Sequence, residues 1–549
     1  MKNIKILFFS FALLLGLAGC SLNHELTGNS ITEEELASLD GTTYKRVRGL
    51  YALMFQYGGD HMTFGQKSID IATDILSGDM ALTNSGYGWW GSEGNLNCAS
   101  AGASRTAQIW GDNYLIIANA NNIIRMLDKK GTEKWTQTDS LSYAECKTLR
   151  AYSYFNIAYL FSPSPKDEGG NATKMNEEYV ELDPENLNLF ENYPTCPLYL
   201  AQEDEYSEDG LLKPAILAGV SKVYREVCKD LEDAIAIFEP LELQGVTRES
   251  KLMVNKDVAH VLASYAYMQS ARYCDAQELY QLAYDHAMAV VNNSAYEMLE
   301  LGSVLTTGFS DVNNSSWIWG LDVTRENSTS LASFWGHIDI HTYSYAAAGA
   351  VLGIDKNLYE EIPETDIRKR WFDSEKDYNY CPKNKFYDGS YSGDDEKDGR
   401  YDPIKTGSLE GVDRDWLNDI VYMRVEEAHL LAAEAAFRAK NVDEAKNILS
   451  NFLLQRDATA ANAVKSMNDT DFERQLCFNW RVEMWGEGRA LLTFKRFGQL
   501  ANKKRGQNHY YQADKEQTFD DYRMVFQLPY SEYSYNQALN PEKPEKSEN

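Results

Sequence analysis

The stretch TAQIWGDNYLIIANANNIIRML, residues 106–127, sets the strongest constraint on what this chain can fold into. Trp110, Tyr114, Ile117, Ala118, Asn121 and Ile124 fall at offsets 0, 4, 7, 8, 11 and 14, one stripe of a 3.6-residue helix. A striped helix has to bury that stripe on a partner, and the sequence supplies partners in pairs. After a polar break containing Gly131 comes LSYAECKTLRAYSYFNIAYLF, again helical. ILAGVSKVYREVCKDLEDAIAIFEP reads as a helix stopped near Pro240, and VNKDVAHVLASYAYMQSARY runs through a very short link into DAQELYQLAYDHAMAVVNN. NDIVYMRVEEAHLLAAEAAFRAK places Val421, Val425, Ala428, Ala432, Ala435 and Ala439 on one face and is followed by NVDEAKNILSNFLLQRDA. Small residues on such a face let helices approach closely. Hairpins of about 34 residues with alanine at packing positions predict tetratricopeptide-like stacking. The fold class is therefore mainly α: a helical-hairpin scaffold with long irregular insertions and a few short strands.

The frame is expected at about 41–60, 104–161, 213–298 and 418–500 of a single domain spanning 41–549. Segments 62–103, 162–212 and 300–417 are rich in Gly, Asn, Ser, Asp and Tyr, and SWIWGLDV within the last alternates as a strand does. Loops this long inside a compact domain are usually functional or disordered. The first and last of these are the expected ligand-binding insertions.

The N-terminus reads as an export signal. Lys2 and Lys5 precede the apolar run Ile6 to Leu17, too short for the roughly 20 residues of a membrane span. Leu17, Ala18, Gly19 and Cys20 resemble a bacterial lipobox, so residues 1–19 are expected to be removed, Cys20 to carry lipid, and 20–40 to form a tether. Acyl chains contribute about 0.8 kcal/mol per buried CH₂, so the membrane partner is reached through the anchor alone. A net charge of −29 repels phosphate backbones and argues against a nucleic-acid partner. The other cysteines, at 98, 146, 196, 228, 274, 381 and 477, form no CxxC or CxxH pair and read as buried thiols.

These residues resemble the SusD/RagB family, the lipid-anchored glycan-binding proteins of Bacteroidetes outer surfaces. The resemblance is carried by Trp110, Tyr114, Ile117, Ala120 and Asn121, and by Glu145, Leu149, Arg150, Ala151, Tyr154 and Phe155. Further along it is carried by Leu358, Tyr359, Asp366 and Arg368, then by Arg424, Ala433, Glu434, Ala435, Glu444 and Ala445. RVEMWGEGRALLTFKRFG at 481–498 is its most specific piece, and Pro529, Glu532, Asn536, Leu539 and Asn540 fit the closing pattern. The resemblance implies a non-catalytic receptor that captures a glycan and passes it to a SusC-like TonB-dependent transporter in the outer membrane, exposed at the cell surface, with no cofactor.

Asn121 sits on the buried stripe and is read as a hydrogen-bonded core bracket. Arg150, Glu434, Glu483 and Glu487 are read as structural ion pairs rather than catalytic acids.

Sugars present flat C–H faces rimmed by hydroxyls, so a site for them needs exposed rings with amides or carboxylates nearby. SGYGWWGSEGN at 85–95 has that composition, giving Tyr87, Trp89, Trp90 and Asn95 as candidate ligand-binding residues. LASFWGHIDIHTYSY adds Phe334, Trp335, Tyr343 and Tyr345, where the resemblance implies the other side of a binding arc. Trp317 and Trp319 alternate in the expected strand, one of them toward the core. His337 and His341 are four apart but lack an HExxH context, and SGDDEKDGRYD lacks EF-hand spacing, so no metal site is read. Two other functions remain open: a glycoside hydrolase, needing two carboxylates about 5–9.5 Å apart, and a peptide-binding helical scaffold.

Overall fold

The computed structural model describes residues 42–55, 58–165, 193–248, 251–274, 276–302, 308–386, 408–409 and 414–539. The export signal, Cys20, the tether and the acidic loop at 392–402 lie outside the described residues.

The N-terminal half contains α1 (Thr42–Leu53), α2 (Gln66–Ser77), β1 (Met80–Leu82), α3 (Ser104–Lys130), α4 (Gln137–Phe161), β2 (Pro194–Pro197) and β3 (Leu217–Gly219). Then come α5 (Val220–Leu243), α6 (Lys256–Cys274), α7 (Leu279–Val291), β4 (Trp317–Leu321), β5 (Leu352–Ile354) and β6 (Ile420–Arg424). The chain continues through α8 (Val425–Arg438), α9 (Val442–Leu453), α10 (Asp469–Glu483), α11 (Ala490–Phe497), β7 (Lys503–Lys504) and β8 (Glu516–Gln517). From α3 to α9 each helix packs on the next in chain order. This is the mainly α, tetratricopeptide-like stack that the hairpin periodicity predicts.

Local chemistry sets the breaks. Gly131 ends α3 at φ 82°, a backbone angle that favours glycine, and its N–H donates to the Leu127 carbonyl. Thr136 opens α4 with a capping box: its hydroxyl accepts from the Asp139 N–H at 3.1 Å, and the Asp139 carboxylate accepts from the Thr136 N–H at 2.9 Å. Most of α4 is buried on every side, as befits a helix in contact with α1, α3 and α5. Short antiparallel ladders, β1 with β5 and β4 with β6, tie the segments between hairpins to the stack.

Four expectations need correction. The segment 62–103 is not wholly an irregular insertion: α2 lies within it, with all twelve residues buried. Its period was invisible because Lys67 and Asp70 are buried as an ion pair at 3.0 Å and Asp74 accepts the amides of Gly488 and Ala490 at 3.2 Å. Helix α5 continues three residues past Pro240, to Leu243, with the proline forgoing one N–H bond in the last turn. The stripe through Val421 is strand up to Arg424, and the helix begins at Val425. On α3, Ala118 is exposed and Tyr114 half-buried, while Trp110, Ile117, Asn121 and Ile124 are buried as expected and are joined by Asn113, Ile116 and Ala120.

The residues carrying the family resemblance converge on buried polar junctions. Glu483 accepts from Arg368 at 3.2 Å, Arg424 at 2.8 Å and Arg456 at 3.0 Å, while Arg424 also grips Glu487. These guanidinium groups hold Glu483 well below the usual carboxylate range against the opposing effect of burial, and Glu487 is brought down to about 2. Arg496 pairs with Glu434 at 3.0 Å, and Lys495 caps α4 by donating to the carbonyls of Tyr159 and Ser162. Arg150 bridges Asn121 and Asp230, and the Asn121 amide donates to the Tyr199 carbonyl at 2.8 Å. Trp110 Nε1 donates to Glu532 at 3.1 Å, closing the chain's end onto the first hairpin. The structural reading of Asn121, Arg150, Glu434, Glu483 and Glu487 holds.

Candidate functional site

The β1/β5 ladder pairs Leu82 with Leu352, so the segments after β1 and before β5 must leave it side by side. Thr83 donates to the Val351 carbonyl through its N–H and its hydroxyl, and the Asn84 amide donates to the Gly349 carbonyl. Gly86, at φ 40°, lies so close to Ala350 that a Cβ there would sit 2.7 Å from the alanine's own. The two aromatic clusters, far apart in sequence, therefore form one layered group.

Its floor is Trp90, only 1% exposed. The residue adopts φ 62°, and its indole Nε1 donates to His337 Nδ1 at 3.1 Å. Arg105, paired with Glu93 at 2.8 Å, lies over the ring. His337 donates its other N–H to the His61 carbonyl at 2.6 Å, so both ring nitrogens are engaged. Burial pushes its pKa down to about 4, and it stays neutral near pH 7.

The middle layer is Tyr345 and His61. Tyr345 stacks on His337 at 5.0 Å, and its hydroxyl meets His61 Nδ1. The outer layer is Trp89, parallel to His61 at 5.6 Å, and Tyr87, edge-on to Tyr345 at 5.2 Å and 62% exposed. Trp89 is partly exposed. Two residues before Tyr345, Tyr343 is partly exposed, carries Arg414 over its ring at 3.9 Å, and accepts from Trp416 Nε1 at 2.9 Å through its carbonyl.

Trp90, Phe334 and Trp335 cannot stack on a ligand as expected, because they are buried. Phe334 and Trp335 pack edge-on to Phe386 at 5.1 and 6.1 Å, inside the core. Tyr345 is nearly covered by its neighbours, so it supports the outer rings rather than offering a free face. Trp317 and Trp319 are both buried, where only one was expected in the core. His337 lies on a short helix, Phe334–Ile338.

Sequence reasoning missed a third segment. The Tyr510 N–H donates to the Leu82 carbonyl at 2.7 Å, which seats Tyr510 and Tyr511 beside the first cluster. Tyr511 packs against Gly91 and Gly94, Tyr510 is 53% exposed, and Gln512 donates to Asn95 at 2.9 Å. The adjacent pair in NHYYQAD was the available signal, of the same kind as the Trp89 and Trp90 pair. His61 had no comparable cue.

Among the described residues no group of three or more His, Cys, Asp or Glu side chains could hold a metal ion, and no helix is long and apolar enough to cross a membrane. The seven cysteines described are free thiols, with Cys274 partly exposed and the others buried.

A family model described as SusD-like, starch-binding associating with outer membrane, matches residues 49–267. No curated protein matches the chain. Among solved structures, a SusD-like carbohydrate binding protein from Bacteroides vulgatus is 19% identical with a TM-score of 0.67, over 92% of this chain and 98% of its own. A SusD superfamily protein from Bacteroides thetaiotaomicron is 19% identical with a TM-score of 0.64, over 90% and 97%. A surface glycan-binding protein A from the same species is 13% identical with a TM-score of 0.58, over 91% and 97%. At these identities the structures speak to the fold, and the family match falls on its first hairpins. Residues 49–267 are thus similar to the SusD-like family model, and the chain as a whole has the fold of the SusD-like structures.

Proposed function

We propose that this protein binds carbohydrate at the cell surface without catalysing its cleavage, and hands it to a TonB-dependent transporter in the outer membrane. One observation carries the binding half: Tyr87 and Trp89 project from a loop whose rings are held from beneath by Tyr345, His61 and His337. Rings fixed in this way lose little side-chain entropy when a sugar face stacks on them. Asn95 with Gln512, and Tyr343 with Arg414, supply polar groups for hydroxyls from the segments that carry the rings. The acid beneath the platform, Glu93, is buried against Arg105 and is poorly placed to act as a hydrolytic acid or base. The family description supports the outer-membrane setting, and the lipobox at Cys20 supplies the anchor. Retardation of the purified protein in polysaccharide gels, with a parallel assay for reducing ends, tests the proposal. Retardation without sugar release is the expected result; release of reducing ends would favour a hydrolase.

A further inference from the structure

Beneath Tyr87, the polar side-chain atoms of the layered rings are engaged with one another. Trp90 Nε1 donates to His337 Nδ1, His337 Nε2 donates to the His61 carbonyl, and the Tyr345 hydroxyl meets His61 Nδ1. Trp89 Nε1 is sealed from solvent with no partner among the described residues, so Trp89 offers a ligand its ring face rather than its N–H. His61 differs. Its side chain is partly exposed, and among the described residues its Nε2 has no hydrogen-bond partner. The imidazole is also held in place. The Gly58 N–H donates to the Thr63 carbonyl at 2.7 Å, and the Asp60 carboxylate accepts from the Met62 N–H at 2.7 Å, closing a tight turn around His61. Arg105 Nη1 donates to the Met62 carbonyl at 2.9 Å and ties that turn to the buried ion pair with Glu93. The ring lies parallel to Trp89, with centroids 5.6 Å apart, and edge-on to Tyr345 at 5.7 Å. With Nδ1 anchored on Tyr345, the direction of Nε2 is fixed as well.

We propose that His61 is the specificity-determining residue of the platform: its Nε2 hydrogen-bonds one hydroxyl of a neutral saccharide whose ring stacks on Trp89. The inference rests on the carbohydrate-binding reading and adds to it the polar contact beside the stacking face. Tautomer chemistry selects a hydroxyl over a charged group. If Nδ1 accepts from the Tyr345 hydroxyl, Nε2 carries the proton and donates; if Nδ1 donates, Nε2 accepts. A sugar hydroxyl both donates and accepts, so it pairs with either tautomer, whereas a carboxylate or an ammonium pairs with only one. Stacking tolerates many sugars, and a fixed nitrogen beside the stacked ring discriminates by which hydroxyl it can reach.

Calorimetric titration of the purified protein and two variants with maltoheptaose, cellohexaose, xylohexaose and mannohexaose tests this. An asparagine amide reaches about as far as Nδ1 and a glutamine amide about as far as Nε2, so the two substitutions separate the two nitrogens. His61→Asn should keep the contact with Tyr345 and the parent's melting temperature, and should bind the best of the four oligosaccharides about tenfold more weakly. His61→Gln should recover affinity to within about threefold of the parent while melting at a lower temperature, because the Tyr345 hydroxyl loses its partner. Equal affinity in the parent and His61→Asn, or equal losses in the two variants, overturns the inference and leaves the carbohydrate reading standing. So does a loss in His61→Asn that tracks a lowered melting temperature, which would make the residue structural. If the parent binds none of the four, the inference and the carbohydrate reading fail together.

Discussion

Trp90 and His337, 247 residues apart, are joined by an indole N–H to imidazole hydrogen bond of 3.1 Å that locks the two aromatic clusters together. Because His337 Nδ1 accepts from Trp90 while Nε2 donates to His61, a second proton on His337 would set two N–H groups against each other. Burial brings its pKa to about 4, against about 6.5 for an unfolded histidine. Between those values the unfolded chain binds more protons. The stability this residue provides is therefore complete above about pH 6.5 and is lost as pH falls toward 4, roughly 3 kcal/mol in all. His260 and His429, also lowered, add to the slope with the same sign. Denaturant melts at pH 7 and 4.5 should show a smaller pH dependence in His337→Phe than in the parent protein. An unchanged slope would contradict this tautomer assignment.

Trp335 should matter to the fold rather than to ligand. Trp335→Ala removes a ring that is 1% exposed and should cost about 3–5 kcal/mol of stability, read from denaturant midpoints. Glycan affinity of the fraction that remains folded should be unchanged.

Asn121→Leu tests the bracket between α3 and α4. It leaves one Arg150 nitrogen without its 2.7 Å acceptor and the Tyr199 carbonyl without its donor. A loss of about 2–4 kcal/mol is expected by thermal or chemical melts. Retained stability with lost ligand binding would move Asn121 from scaffold to site.

The Glu483 hub gives an acid limit. Its arginines hold Glu483 and Glu487 below the ordinary glutamate range, Glu487 at about 2. Both contribute stability above about pH 4.5 that is lost as pH falls toward 2. Glu483→Gln should destabilise by about 3–5 kcal/mol at neutral pH, because three buried guanidinium groups lose a shared partner. It should also flatten the acid limb of a stability curve.

What could be read from the sequence follows from how each feature is encoded. The hairpins of α3 to α9 were legible because their apolar residues recur at the helical period within a short window. Helix α2 was not, because Lys67, Asp70 and Asp74 interrupt the pattern and find their partners in the interior and near α11. The placement of Tyr87 and Trp89 outward and Trp90 inward depends on Trp90's left-handed backbone and on an acceptor 247 residues away, neither visible locally. His61, Tyr510 and Tyr511 join the site through long-range hydrogen bonds and packing, which composition does not encode. Phe334 and Trp335 look like exposed rings by neighbourhood and are core by contact with Phe386.

The most direct measurement is calorimetric titration of a glycan that retards the protein, repeated with Tyr87→Ala and Trp89→Ala. Each substitution removes an outer ring while the Trp90, His337 and Tyr345 layers beneath stay in place. A loss of about 1–3 kcal/mol of affinity in each variant, with unaltered melting temperature, is the result predicted. Full affinity in both variants would contradict an aromatic platform as the place where this protein meets its sugar.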